Sequence, residues 1–174
     1  ESNLFVENQR GSAMTGIGSG DSLSIVILAA GAGERMKSDL PKPLHPVAGR
    51  PMLAHVLDVA GRLEPVDITI VCSDALKAAV ADERWATDVR IALQEAPRGT
   101  GDAVKAAIDA GLAGKLVLVL YADHPLVTPE SLQSLIAEFS AARANVGVMS
   151  CTVPDAAGYG RIARDAAGVV TGIV

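Results

Sequence analysis

From Leu23 onward the chain alternates between short continuous apolar runs and longer stretches that are apolar on one helical face. Ser24-Ile25-Val26-Ile27-Leu28 is a run that ends at glycines, the pattern of a strand buried on both faces of a parallel sheet. Pro51 opens a stretch whose Met52, Leu53, Val56, Leu57 and Ala60 share one helical face, with Gly61 near its end. Ile68 to Cys72 reads as a second strand, Asp74 to Asp82 as a helix, and Val89 to Leu93 as a third strand. A helix over Gly101 to Gly111 and a fourth strand over Lys115 to Tyr121 follow. Thr128-Pro129-Glu130 is a helix start, with a capping hydroxyl, a proline at the first position and an acid for the dipole. That helix is predicted to reach Ala142, and Asn145 to Val153 gives a fifth strand. Arg161-Ile162-Ala163 and Val169 to Val174 read as two short strands about a turn near Gly168. Alternation with short links predicts an α/β fold with an open, mostly parallel, Rossmann-like sheet and right-handed crossovers. No repeat of 20–50 residues is visible.

Residues 1–22 break the pattern. They are polar, rich in Gly and Ser, and without period. Gly11-Ser12-Ala13-Met14 resembles a cloning scar ahead of a native methionine, so residues 1–13 are set aside and 14–22 are expected to be a flexible lead-in. At the other end the chain stops on an apolar residue in a strand-like stretch. The expected organisation is a lead-in over 1–22 and one domain over 23–174, incomplete at its C-terminus.

Composition narrows the class. The 174 residues are 49% hydrophobic, 20% charged and 3% aromatic, enough for a sizeable core and too apolar for a disordered chain. A mean hydropathy of +0.32 raises the question of a membrane. The longest run, Leu116 to Tyr121, is strand-length and well short of the roughly 20 residues a spanning helix needs. The net charge of −5 and pI of about 5.1, without a basic patch, argue against a nucleic-acid polymer as partner but not against a small phosphate ligand. The two cysteines, Cys72 and Cys151, lie far apart, each in or at the end of an apolar run. They are expected to be reduced core thiols rather than a disulfide or a metal site. With no basic n-region leading into an apolar h-region at the N-terminus, these features predict a cytoplasmic protein.

The candidate chemistry begins at Leu28-Ala29-Ala30-Gly31-Ala32-Gly33-Glu34-Arg35-Met36. Glycines at the carboxyl end of a first strand let backbone amides approach a ligand, and such amides form anion-binding concavities. A Walker loop needs Gly-Lys-Ser/Thr, which is absent here. A dinucleotide fingerprint needs a third glycine where Met36 stands, and an acid about 20 residues on, so a nicotinamide oxidoreductase is disfavoured. Two cations, Arg35 and Lys42, follow the glycines, the second between Pro41 and Pro43. They suit neutralisation of a triphosphate during attack at phosphorus. Solvated surface charges are the plainer alternative, and spacing alone does not separate the two.

Leu28 to Met36 followed by Pro41-Lys42 resembles the signature of sugar-1-phosphate nucleotidyltransferases. Ser38-Asp39-Leu40-Pro41-Lys42-Pro43-Leu44-His45 is most similar to the uridylyltransferase part of the bacterial bifunctional N-acetylglucosamine-1-phosphate uridylyltransferase/glucosamine-1-phosphate acetyltransferases. Further matches come in order: Gln94 through Gly99-Thr100-Gly101, Tyr121-Ala122-Asp123-His124-Pro125-Leu126, Gly158-Tyr159-Gly160-Arg161-Ile162, and Thr171-Gly172-Ile173-Val174. The resemblance runs from about Leu23 to Val174 and implies a nucleotidyltransferase-type sheet of order 3-2-1-4 in its first half.

In that order strand four lies beside strand one, so Asp123 is expected to face the Gly-rich loop across the ligand crevice. A hard carboxylate there suits Mg²⁺ bridging nucleotide phosphates, and Asp123 falls on the family's magnesium aspartate. A turn-capping acid before Pro125 is the alternative. The resemblance assigns Gln94 and the Gly99-Thr100 backbone to the base, Leu28, Ala29, Ala30, Gly31, Gly33, Lys42, Tyr121, Ala122 and Asp123 to the nucleotide, and Gly160 to the sugar. Gln94 otherwise reads as a surface polar residue, Thr100 as a helix cap, and Gly160 as part of a hairpin turn. Ala122 stands where the family commonly has glycine, and its methyl bears on fine substrate selection. His45, His55 and His124 have no catalytic or metal-binding spacing.

The resemblance thus implies Mg²⁺-dependent transfer of UMP from UTP to N-acetylglucosamine 1-phosphate, giving UDP-N-acetylglucosamine, a cell-wall precursor, and pyrophosphate. Arg35 and Lys42 are the expected catalytic cations. No membrane partner is expected. The family's trimerising acetyltransferase repeats are not in this sequence, so these residues alone are expected to be monomeric and without acetyl transfer. The alternatives are a nucleotidyltransferase for another sugar phosphate or a molybdenum cofactor, and a catalytically silent UDP-sugar-binding module.

Overall fold

The computed structural model describes residues 2–7, 22–31, 33, 36–80, 86, 88–94 and 98–174. In chain order the elements are β1 (Ser2–Glu7), β2 (Leu23–Leu28), a 3-10 turn (Lys42–Leu44), β3 (Pro46–Val47), β4 (Arg50–Pro51), α1 (Met52–Gly61), β5 (Asp67–Cys72) and α2 (Asp74–Val80). They continue with β6 (Arg90–Leu93), α3 (Thr100–Asp109), β7 (Leu116–Tyr121), α4 (Pro129–Ala142), β8 (Val146–Cys151), β9 (Ile162–Arg164) and β10 (Val170–Ile173). The chain divides into two compact units, Gly20–Pro129 and Glu130–Val174, the second together with Glu1–Ser19.

The first unit is built on a four-stranded sheet of order β6-β5-β2-β7. All three pairings are parallel: Ser24 to Leu28 lie opposite Asp67 to Val71, Leu23 to Leu28 opposite Leu116 to Tyr121, and Thr69 to Cys72 opposite Arg90 to Leu93. In sequence terms this is the expected order 3-2-1-4. Ile25, Val26 and Ile27 of central β2 are fully buried, because a central strand of a parallel sheet is covered on both faces. Val26, Val71 and Ala92 form one face of the core with Ala103 and Ala107 of α3, and Leu28, Ala106, Leu112 and Val119 pack around them. Small residues on α3 let the helix lie close to the sheet. Ile25, Ile27 and Ile70 point to the opposite face by strand alternation and are equally inaccessible. In α1, Leu53, Ala54, Val56 and Ala60 are buried, the stripe that the helical spacing predicts.

Between β2 and α1 lie two short turns with no periodic signature in the sequence. Residues 42–44 form the 3-10 turn, and β3 and β4 form a small hairpin in which Val47 pairs with Arg50. Its two tip residues, Ala48 and Gly49, both have positive φ, 49° and 78°, the backbone a two-residue hairpin loop demands.

In the second unit β9 and β10 pair antiparallel about the turn at Gly168. The Asp165 carboxylate accepts the Ala167 and Val169 amides at 2.9 Å each, and Gly168 takes φ +85°. β8, the fifth strand read from the sequence, pairs antiparallel with β1 in a two-stranded sheet, Ser2 opposite Cys151 and Glu7 opposite Val146. Ser2–Glu7, within the residues set aside from the sequence reading, thus forms a strand. Cys151, expected in the core, is exposed, whereas Cys72 is buried; both are free thiols. The apolar run around Cys151 belongs to a strand with exposed and half-buried positions along its length, so burial does not follow from its composition.

Candidate active site

The sheet order reverses beside β2. The chain moves outward from β2 to β5 and β6, then returns across β2 to β7. Loops after β2 and β7 therefore diverge from adjacent strand ends and leave a crevice there, the usual ligand position in open α/β sheets. Leu28 to Gly31 and Gly33 follow β2, and Ala122 and Asp123 follow β7. Backbone bonds fix both loops. The Ala29 amide donates to the Val71 carbonyl at 2.8 Å, and the Ala122 amide to the Leu28 carbonyl at 3.0 Å.

Lys42 and Asp123, 81 residues apart in sequence, meet in this crevice. The Lys42 ammonium donates to Oδ2 of Asp123 as an ion pair. Both side chains are about 30% exposed (31% and 30%), open enough to meet a ligand and buried enough to keep one geometry. The lysine is aimed by its surroundings. Pro41 precedes it, Pro43 follows it and is buried, and the Leu44 amide closes the turn on the Pro41 carbonyl at 2.9 Å. Gly33 lies against its stem. Gly33 has φ +63°, and a Cβ there would come within 2.7 Å of Lys42 Cβ. The glycine therefore has two structural reasons, a left-handed backbone and a close approach. Gly31 has neither. A Cβ at Gly31 would meet nothing within 4 Å among the described residues, so its bare backbone borders open space. Arg35, the second expected cation, lies outside the described residues.

Burial pushes the Asp123 carboxyl up, but the hydrogen bond and charge of Lys42, helped by His124, outweigh it and hold the group below the usual carboxylate range. His124 Nε2 is 3.7 Å from Oδ1 of Asp123, and its ring lies 5.1 Å from that of Tyr121. The other two histidines are occupied with backbone, His45 with the Leu40 carbonyl at 3.2 Å and His55 with the Val47 carbonyl at 2.8 Å. Ala122 is only 1% exposed, so its methyl lies within the protein rather than in the crevice.

No group of three or more His, Cys, Asp or Glu forms a metal-ligating cluster among the described residues. One part-exposed carboxylate at the carboxyl end of the sheet nevertheless fits Mg²⁺, which usually takes one or two carboxylates and completes its shell with water and substrate phosphates.

Gln94 directly follows β6, and its amide donates to the Cys72 carbonyl at 3.0 Å, at the same carboxyl edge of the sheet. Its side-chain nitrogen donates to Asp102 Oδ2 at 3.0 Å and to the Gly99 carbonyl at 3.3 Å. Gly99, at φ 120°, is the cap of α3, and Thr100 is the first helical residue rather than the cap. Asp102 was not singled out in the sequence. Its ion pair with Arg98 has readable i,i+4 spacing, but its contact with Gln94 crosses a strand-to-helix loop and has no periodic signature. Gly160 lies in the second unit, where a Cβ would meet Ile173 Cγ2 at 3.0 Å; packing alone accounts for a glycine there.

The chain matches the model of the MobA-like NTP transferase domain over residues 25–159. It belongs to that family. The NTP transferase domain is also similar to "Bifunctional protein GlmU" of Alkalilimnicola ehrlichii, 52% identical over 156 residues, which is 88% of this chain and 32% of that protein. The chain thus spans about a third of the length of the curated relatives it matches. Among solved structures it is similar to HddC from Yersinia pseudotuberculosis, with a TM-score of 0.63 and 23% identity over 87% of this chain and 68% of that one. It is also similar to 4-diphosphocytidyl-2C-methyl-D-erythritol synthase from Anaerococcus prevotii, with a TM-score of 0.62 and 23% identity over 89% of this chain and 64% of that one. These two likenesses concern the fold. No helix among the described residues is long and apolar enough to cross a membrane.

Proposed function

We propose that this NTP transferase domain carries out uridylyl transfer, moving UMP from UTP to N-acetylglucosamine 1-phosphate with release of pyrophosphate. The observation that carries the reading is the meeting of Lys42 and Asp123 beside the Gly31–Gly33 backbone, at the point where the sheet order reverses. The similarity to GlmU supports the choice of base and sugar. An oxygen of the sugar phosphate attacks the α-phosphorus of UTP, a new P–O bond forms, and the bond to the β-phosphate oxygen breaks as pyrophosphate leaves. The nucleophile is already anionic, so no protein base is needed and catalysis reduces to positioning and charge neutralisation. Lys42 holds phosphate oxygens near the reacting phosphorus. The Gly31–Gly33 backbone, with no side chain at either glycine, receives the nucleotide phosphates, and Arg35 neutralises the departing pyrophosphate. Asp123 is the residue that would hold Mg²⁺, and bound there the ion would offset phosphate charge. Gln94 and the Gly99-Thr100 backbone read the base, and Leu28, Ala29, Ala30, Tyr121 and Ala122 shape the nucleotide site; for the sugar, the family resemblance points to Gly160.

Two measurements test the reading. Pyrophosphate release is assayed with UTP, CTP, ATP, GTP and dTTP, each against a panel of sugar phosphates. The expected pair is UTP with N-acetylglucosamine 1-phosphate. Calorimetric titration of UTP with and without Mg²⁺ should show tighter binding with the ion in the wild type and no such gain in Asp123→Ala. Turnover in Asp123→Ala is expected to drop by about a hundredfold or more. Near-normal, still Mg²⁺-dependent release in that variant would overturn the role of Asp123.

A further inference from the structure

The Gln94 side chain is an amide, which presents two N–H donors on one side and a carbonyl oxygen on the other. Its nitrogen is held by Asp102 Oδ2 at 3.0 Å and by the Gly99 carbonyl at 3.3 Å. A carboxylate and a peptide carbonyl can only accept. Both amide hydrogens are therefore drawn toward the start of α3, and Oε1 is turned the other way. Flipping the amide would set Oε1 against two acceptor oxygens, so the neighbours determine the orientation. The Asp102 carboxyl stays ionised through the neutral range. Its hydrogen bond from Gln94 and the nearby Arg98 and Lys105 charges lower its pKa against a smaller opposing effect of burial. Arg98 reaches the other carboxylate oxygen, Oδ1, at 3.3 Å, which leaves Oδ2 to Gln94.

We propose that Asp102 is a positioning residue for base selection: it locks the Gln94 amide with Oε1 outward, so that the site favours a pyrimidine with a ring N–H, uracil, over one with a bare ring nitrogen, cytosine. The inference rests on the reading of Gln94 as the base contact. An acceptor facing N3–H of uracil makes a hydrogen bond, whereas the same acceptor facing N3 of cytosine meets a lone pair.

The test is competitive calorimetry of UTP and CTP on the wild type, Asp102→Asn, Asp102→Ala and Arg98→Ala. Asparagine keeps the size of the side chain but offers an N–H₂ that can donate to a flipped Gln94, which then shows its own N–H to cytosine. Alanine removes one of the two acceptors that lock the amide. Both Asp102 variants are expected to narrow the UTP preference by about tenfold, the worth of one hydrogen bond. Arg98→Ala, which leaves the Asp102–Gln94 contact in place, should keep the wild-type ratio. General loosening of α3 would weaken both nucleotides together and leave the ratio alone. A wild type that prefers UTP, with both Asp102 variants keeping the same ratio, would overturn the role of Asp102 while leaving the uridylyl reading intact. A wild type with no preference for UTP would overturn both.

Discussion

At Gly33 the residue and the site are one problem. Its φ of +63° and the 2.7 Å approach of a would-be Cβ to Lys42 Cβ mean that any side chain must push the lysine stem away. Gly33→Ala is expected to cost about 1–2 kcal/mol of stability and to weaken UTP binding more than that loss of stability accounts for; thermal denaturation and calorimetry on the same sample separate the two. Gly31→Ala, whose Cβ meets nothing within 4 Å among the described residues, should leave stability unchanged in the thermal scan. The thiols make a second test at this scale. Burial pushes the Cys72 thiol up to about 11, while Cys151 is exposed. Ellman's reagent near pH 8 should therefore titrate one thiol quickly and the second only on unfolding, because the thiolate is the reactive form. Two fast thiols would contradict the burial of Cys72. The apolar run at Cys72 foretold its core position, but the similar run at Cys151 misled, because burial depends on which strand pairs alongside, and nothing local to Val146–Cys151 specifies β1 as its neighbour.

At the level of elements, the continuous apolar strands were legible because a parallel strand covered on both faces admits no polar alternation. Helix α1 was legible from its one-sided stripe. The hairpin β3–β4 and the 3-10 turn at Lys42 were not. They are too short for a period, and their geometry rests on prolines and on positive φ at Ala48, a residue type that gives no warning of it. The entry into β7 shows how much one small residue can decide. The Gly114 amide donates to Ser24 Oγ at 2.7 Å, and a Cβ on Gly114 would meet the Ser24 backbone nitrogen at 2.4 Å. The Ser24 hydroxyl at 2.7 Å could turn away, but the Ser24 nitrogen and the Leu23 carbonyl carbon at 2.8 Å are backbone and cannot. Gly114→Ala is expected to destabilise the protein by about 1–3 kcal/mol, read as a lower denaturation midpoint with an unchanged slope. A neutral substitution would mean that β2 and the β7 lead-in are looser than this contact implies.

For the molecule as a whole, the order of the four parallel strands is what brings distant residues together. Strand order predicts that Asp123 faces the Gly-rich loop, and in the structure Asp123 pairs with Lys42 of the segment after that loop; the partner that fixes Gln94 has no such signal, since loop geometry rather than topology sets it. Among the described residues, three aspartates are held below the usual carboxylate range: Asp58 chiefly by its hydrogen bond from Arg50, Asp102 chiefly by Gln94, and Asp123 by Lys42 against the upward push of burial. A carboxyl lowered on folding contributes stability above its unfolded value and loses it as pH falls through its folded one. Acid loss of stability is thus expected to set in below about pH 4. Lys42→Met keeps the aliphatic stem against Gly33 and removes the charge. Its stability gap from the wild type should be small, as for any part-exposed pair, complete at neutral pH, and closed in strong acid. A gap that persists unchanged at about pH 2 would assign it to packing instead.

The ammonium and the carboxylate answer each other directly, so an incoming molecule meets a neutral couple instead of two open charges. A lone anion must draw the lysine off its acid, and a lone cation must draw the acid off its lysine; each leaves one member stranded. A guest of mixed sign, such as a metal chelated by a triphosphate, exchanges two partners for two and strands neither. On the uridylyl-transfer reading proposed above, this pairing disfavours the separate ions relative to the chelate.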